Sequence, residues 1–377
     1  MYAALNHEVL ETVQDNKVYF ASIRMKEISA QASLPAKYSR MLDKFPLKEM
    51  FDGKRTAIKM HVGAGLGFST VHPLFVATLV RKLKEAGADP FLTDGSFSRQ
   101  AITARGYTQE VVGAQFIPAG GIKDAYIRTI PVNYRGLKDV ELCGNIVDAD
   151  ALVDLSHFKA HGHAVFGAAI KNLGMGAVTV RTRGILHQLA DSELKWNAEA
   201  CAECRQCVEG CPTGAASFDK EGRFRIFFHD CIYCHHCTLA CPEHAIQFDD
   251  RNIYYFQCGL AIATREVLKH FDPARVLYVT VLLNIASFCD CWGFTTPSIV
   301  PDIGIAASRS IMPIERAAVD MIKAEDFIKG SLPGHVERRE GPGHLLQQIW
   351  GKDPYDQIRA GEEVGLGSSE YELEEVF

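Results

Sequence analysis

Two periods alternate along the chain. "KVYFASIR" (17–24) and "RTAIKMHVG" (55–63) are apolar runs of strand length, whereas "HPLFVATLVRKLKEAG" (72–87) repeats its apolar positions at helical spacing and stops at Gly87. Thr70 stands where a helix N-cap is expected. "DPFLTDGS" (89–96) returns to strand pattern with Asp94 at its carboxyl end, so this region predicts a βαβ unit with parallel strands. "ADALVDLSHFK" (149–159) predicts another strand. Further on, "CGLAIATREVLKHF" (258–271) reads as a helix, "RVLYVTVLLNI" (275–285) as a buried strand and "VPDIGIAAS" (300–308) as a strand. "MPIERAAVDMIKAED" (312–326) then reads as a helix with Pro313 in its first turn.

The alternation breaks between residues 196 and 252, where "AASFDKEGRFRIFFHD" and "AIQFDDRNIYYF" have the look of short strands. Strand and helix patterns on both sides predict one α/β host with a largely parallel sheet, built from 1–195 and 253–377. An α+β module is inserted at 196–252. The last stretch, "EEVGLGSSEYELEEVF", has six Glu and no base, and reads as a surface-docked or partly mobile end.

The insertion carries the strongest chemical signal. Cys201, Cys204, Cys207 and Cys211 precede Pro212, and Cys231, Cys234, Cys237 and Cys241 precede Pro242, an offset of 30 residues. This is C-x2-C-x2-C-x3-C-P written twice, the run that binds two 4Fe-4S clusters in bacterial-type ferredoxins, the last cysteine of each run ligating the other cluster. One cluster then takes Cys201, Cys204, Cys207 and Cys241, and the other Cys231, Cys234, Cys237 and Cys211. Zinc sites also use C-x2-C pairs but need four ligands, which leaves the doubled spacing unexplained. Eight acidic residues against four basic ones between 201 and 250 point to low potentials.

Composition narrows the partners. At 377 residues the chain is long enough for two or three domains, and 47% hydrophobic with 23% charged residues is ordinary for globular proteins. A net charge of −6 gives no basic surface for nucleic acid. The first residues lack the layout of a secretory signal, and the longest apolar run, "VLYVTVLLNIA" (276–286), is too short to span a bilayer. A cytoplasmic location is expected, where twelve cysteines serve as metal ligands more readily than as disulfides. Cys143 and Cys258 read as small buried hydrophobes.

Three stretches of the host carry candidate chemistry at strand ends, where open α/β sheets gather ligands. "HVGAGLGFSTVHP" places Gly63, Gly65 and Gly67 with Ser69 between strand and helix, either an anion cradle or a plain connection. "SHFKAHGHAVFGAAIKNLGMG" (156–176) concentrates His157, Lys159, His161, His163, Lys171 and Asn172. Of these, His161, Lys159, Lys171 and His163 are the catalytic candidates, the imidazoles as acid or base and the lysines as holders of carboxylate or phosphate. "SFCDCWGFTTPSIVPDIG" adds Cys289, Asp290, Cys291 and Asp302, a possible second metal site together with His61, or a turn shaped by reduced cysteines.

Taken in order, "KMHVG", "LKEAGADPFLTDGS", "HFKAHGHAVFGAAIKNLGMG", the doubled cysteine run, "CDCWG", "VPDIGIAASRSIMPIERAAVDMI" and "GLGSSEYEL" resemble the DUF362 family of iron-sulfur proteins from about residue 17 to the end. The resemblance implies an iron-sulfur α/β protein and marks His61, Lys159, His161, Lys171, Asn172, Asp290 and Asp302 as motif positions. Ser310 and Glu315 stand where relatives tend to carry aspartates.

Three functions compete on this reading. The first is an oxidoreductase passing low-potential electrons from a ferredoxin-like partner through two 4Fe-4S clusters to a small-molecule substrate in the host. The second is a non-catalytic relay docked on a partner enzyme, which calls for a filled, apolar site in the host. The third is a metal-dependent isomerase or lyase with accessory clusters, which calls for a further metal on the His and Cys ligands.

Overall fold

Seven strands make one sheet: β1 (Lys17–Ser22), β2 (Arg55–Met60), β3 (Asp89–Thr93), β4 (Ala151–His157), β5 (Val276–Leu282), β6 (Gly304–Ser308) and β7 (Glu372–Glu375). Their spatial order is β7-β1-β6-β5-β4-β2-β3. The computed structural model describes residues 10–377 except 12, 14, 96–98, 192–193, 212, 229, 232–235, 249–251 and 334–335. Strands β3, β2, β4 and β5 are mutually parallel, β6 runs antiparallel to both β5 and β1, and β7 is parallel to β1. The fold is therefore mixed α/β with a mainly parallel central sheet, as the strand and helix pattern predicts. Strands from before residue 195 and after residue 253 share it.

Helices on both faces explain why β4 and β5 are almost continuously apolar and buried. Along β4, Ala151, Val153 and Leu155 enter the core shared with α1 (Leu34–Leu42) and α2 (Pro73–Glu85). Leu152 enters the opposite core, shared with α3 (Ala169–Gly176), α4 (Val180–Asp191), α5 (Asn252–Leu268), α6 (Ile311–Asp320) and α7 (Tyr355–Val364). The strand period of two puts Asp154 and Ser156 on that same second face, buried.

Several boundaries differ from expectation. The helix read over 258–271 spans Asn252–Leu268, because the aromatic run "NIYYF" packs as helix rather than strand. The one read over 312–326 ends at Asp320, followed by a separate turn at Ala324–Asp326. His72, not Thr70, caps α2, its side chain accepting the Leu74 N–H at 3.1 Å. The acidic end docks as β7, with Val376 buried. A hairpin of Ile127–Tyr134 and Leu137–Cys143 was not anticipated.

Within 196–252 and its border, Lys195–Trp196 pairs antiparallel with Ile246–Gln247, so the segment leaves and returns at neighbouring points. Ala216–Phe218 pairs antiparallel with Phe224–Ile226, and two short helices, Gln206–Glu209 and His236–Leu239, pack together. Among the described residues no helix is long and apolar enough to cross a membrane.

Candidate active site

The four parallel strands end along one edge of the sheet, and their carboxyl ends deliver His61, Asp94, His157, Lys159 and His161. The loop beyond β5 adds Cys289, Asp290 and Cys291, α3 adds Lys171 and Asn172, and α4 adds Arg183 and His187. Together they line a cavity of about 210 Å³. The His/Lys stretch and the C-x-C stretch, two separate candidates in the sequence, form one site.

Its floor is a buried polar network. Lys59 Nζ lies 2.9 Å from Asp94 Oδ1 and donates to Asn172 Oδ1 at 2.7 Å. Asn172 Nδ2 donates to the Lys59 carbonyl at 3.0 Å and to Asp154 Oδ1 at 2.5 Å. A Cβ on Gly176 would meet Lys59 Nζ at 2.2 Å, so only glycine leaves room for that ammonium. Burial would raise Asp94, but the Lys59 ammonium and the His61 hydrogen bond hold it well below the usual carboxylate range. Asp154 has no such cation in hydrogen-bond contact, and burial pushes it up to about 8. Glu315 is likewise raised to about 8 by burial. It accepts the Ala169 N–H at 2.8 Å, capping the helix that carries Lys171 and Asn172.

Lys159 is ion-paired with Asp290, both side chains buried, and donates to Ser69 Oγ at 2.7 Å. Asp290 Oδ1 accepts from Ser69 Oγ at 3.0 Å and Thr295 Oγ1 at 2.9 Å. Burial pushes Lys159 down to about 8, with the Cys289 and Cys291 sulfurs opposing. The glycine-rich loop docks on this turn and is no open anion cradle: the Ala64 N–H reaches the Asp290 carbonyl at 3.2 Å, the Leu66 N–H reaches the Gly293 carbonyl at 2.6 Å, and the Phe68 and Ser69 amides bind Thr295 Oγ1. Gly65 has φ +44°, and a Cβ there would lie 2.6 Å from the Gly293 oxygen.

His161 Nδ1 accepts the backbone N–H groups of His163 and Ala164 at 3.1 and 3.0 Å. The proton of the neutral ring is therefore on Nε2, 3.6 Å from Cys291 Sγ. The Cys289 and Cys291 sulfurs interact electrostatically with each other in the cavity wall. That interaction, with Lys171 and His61 assisting, lowers Cys289 well below a free thiol and raises Cys291. His61 holds Asp94 Oδ2 through Nδ1 at 3.2 Å; burial lowers its proton affinity, but Asp94 and the nearby Cys289 sulfur outweigh burial and raise it. His157 Nε2 donates to the Leu283 carbonyl at 2.5 Å, and burial keeps the ring neutral.

Two predicted residues lie elsewhere. His163 stands behind the wall, packed on His187 (ring centroids 4.8 Å apart), Phe256 (4.3 Å) and Phe228 (6.3 Å). Asp302 accepts the Asn284 N–H at 2.6 Å, bracing the loop after β5. Sequence reasoning missed Lys59, Arg183 and His187; a lysine inside an apolar strand was the available signal for Lys59. Of the residues considered from sequence as a second metal site, His61, Cys289, Asp290 and Cys291 share the cavity wall, and Asp302 stands apart from them.

In the cysteine-rich segment, Cys201, Cys204, Cys207 and Cys241 line one small cavity with Trp196, Phe218 and Ile246. Cys211 Sγ accepts the Ala216 N–H at 3.4 Å and Cys241 Sγ the Ala245 N–H at 3.3 Å, similar contacts one residue out of step between the two runs. Cys231 and Cys237 are buried, and Cys234 lies outside the described residues. Cys143 and Cys258 are buried as expected, 0% and 2% exposed.

An open-edged α/β sheet with a cavity walled by His, Lys, Asp and Cys side chains at its strand ends is the class of protein these observations define. The profile described as Domain of unknown function (DUF362) matches residues 56–320, and the chain belongs to that family. No curated protein matches. Among solved structures, the chain is similar to the lactate racemase apoprotein from Thermoanaerobacterium thermosaccharolyticum, with 14% identity and a TM-score of 0.36 over 72% of this chain and 51% of that one. A Thermotoga maritima protein solved by structural genomics gives 10% identity and a TM-score of 0.35 over 68% and 52%. The chain thus spans about half the length of the solved structures it matches.

Proposed function

We propose that this protein is an iron-sulfur oxidoreductase that delivers single electrons to a substrate held in the cavity at the strand ends. The observation that carries the reading is the common cavity of Cys201, Cys204, Cys207 and Cys241, the cysteine set that the doubled motif assigns to one cluster across two runs. Those four would hold one cubane, and Cys211, Cys231, Cys234 and Cys237 the other, in a ferredoxin-like inserted module. When bound, such clusters supply one-electron transfer with a ferredoxin-like donor or acceptor protein.

The chain's own residues fit that task. Phe228, three residues before Cys231, packs on His163, which packs on His187 in the cavity wall, so a contiguous ring path joins the module to the site. Lys171 and Arg183 line the cavity without an ion-pair partner among the described residues, which suits a substrate carboxylate or phosphate. Asp94 raises the proton affinity of His61, burial brings Lys159 down to about 8, and His161 donates through Nε2.

An open cavity with lysine and histidine side chains in its wall runs against a docking relay, which calls for a filled, apolar site. The test is anaerobic reoxidation of the reduced protein by a panel of small anionic organic acceptors, followed by EPR. At least one acceptor is expected to reoxidise the native chain, and Lys171→Ala to slow that reaction tenfold or more at unchanged iron content. Equal rates in both proteins for every acceptor contradict the assignment.

A further inference from the structure

We propose that Cys289 and Cys291 are a redox-active dithiol that closes reversibly to a disulfide inside the cavity and gathers two single electrons into a pair. For its electron source this rests on the reading above. The geometry is local: Cys289 precedes the turn Asp290–Trp292, a 3-10 helix, and residues two apart on such a turn have Cα atoms roughly 5 Å apart, within disulfide range. Both cysteines line the same cavity rather than filling a core.

Shaping the turn does not require cysteine. The Ala64 and Leu66 amides, Thr295 and the left-handed Gly293 hold it through backbone and hydroxyl contacts, and Phe288 packs on Trp292 and Trp350. What surrounds the sulfurs is chemistry: His61 on Cys289, His161 Nε2 on Cys291, and the Lys171 ammonium nearby. Hydrogen bonds and positive charge stabilise the thiolate, the attacking form in exchange.

On reduction, the Sγ–Sγ bond breaks as two electrons arrive one at a time from a ferredoxin-type donor and two protons are taken up, giving two thiols. In the reverse half, the thiols pass two electrons and two protons to an anionic organic acceptor beside Lys171 and Arg183, and the Sγ–Sγ bond reforms.

The test equilibrates the full chain anaerobically in mixtures of reduced and oxidised dithiothreitol, quenches in acid, alkylates, and maps the peptide containing both cysteines by mass. Expected is a single transition in which both sulfurs change together with a two-electron dependence on the redox ratio. Cysteines that stay alkylatable at every ratio, or that oxidise separately, overturn the proposal. Iron is measured on the same sample. A two-electron transition without iron supports the dithiol while removing the electron source, so the two failures are distinct. Cys289→Ser at unchanged iron content is expected to abolish the transition; its persistence overturns the pairing.

Discussion

His161 Nε2 faces the sulfur of Cys291 at 3.6 Å, while Nδ1 of the same ring is committed to two backbone amides. The imidazole is thereby fixed as a donor toward the sulfur and cannot take a second proton without displacing both amides. His161→Ala is expected to lower acceptor reduction by tenfold or more with both clusters retained, and to slow alkylation of Cys291 in the folded protein. Unchanged turnover removes His161 from the chemistry.

Lys159 and Asp290 share a buried ion pair, 3% and 1% exposed in their side chains. Removing one partner strands the other, a loss of about 3–5 kcal/mol in comparable pairs. Lys159→Met is expected to cost that much by denaturant titration, and the double change with Asp290→Asn to recover most of it. Additive losses contradict the coupling.

Asp154 sets a pH dependence. Its folded-state value of about 8 lies above the ordinary carboxylate range, so between the two the folded chain holds a proton that the unfolded chain has released. The stability it contributes is fully present below the ordinary value and is lost as pH rises through about 8. Asp154→Asn removes this loss, on the order of a few kcal/mol by pH ~9. Melting profiles of native and Asp154→Asn chains should diverge from pH ~5 to pH ~9, with the variant the more stable at the alkaline end. Parallel profiles contradict a protonated Asp154.

The four site-bearing strands were legible because parallel strands covered on both faces are continuous apolar runs, and Asp94 could be placed at a strand end from that alone. The union of Lys159 and His161 with Cys289 and Cys291 was not, since it arises from the parallel register of β4 on β5, where His157 sits opposite Val281. Nor does sequence tell which of His161 and His163 enters the cavity. A tight hairpin, Lys159–His161 against Val165–Gly167, decides that, with Val165 at φ 69°. The Asn252–Gln257 turn of α5 was read as strand because its aromatic residues favour strands; packing on His187 overrode that preference.

The cross-pairing of cysteines is testable one ligand at a time. Cys241→Ser and Cys201→Ser are expected to perturb the same cluster and leave matching residual EPR spectra, whereas Cys211→Ser should match Cys231→Ser. Pairing within each run, Cys211 with Cys201, contradicts the arrangement seen around Cys241.

Iron and acid-labile sulfide on anaerobically purified full chain, with EPR of the dithionite-reduced sample, test the central claim most directly. About eight irons and eight sulfides per chain with a spin-coupled reduced signal are predicted. Stoichiometric zinc in place of iron, or little iron under strict anaerobiosis, contradicts it.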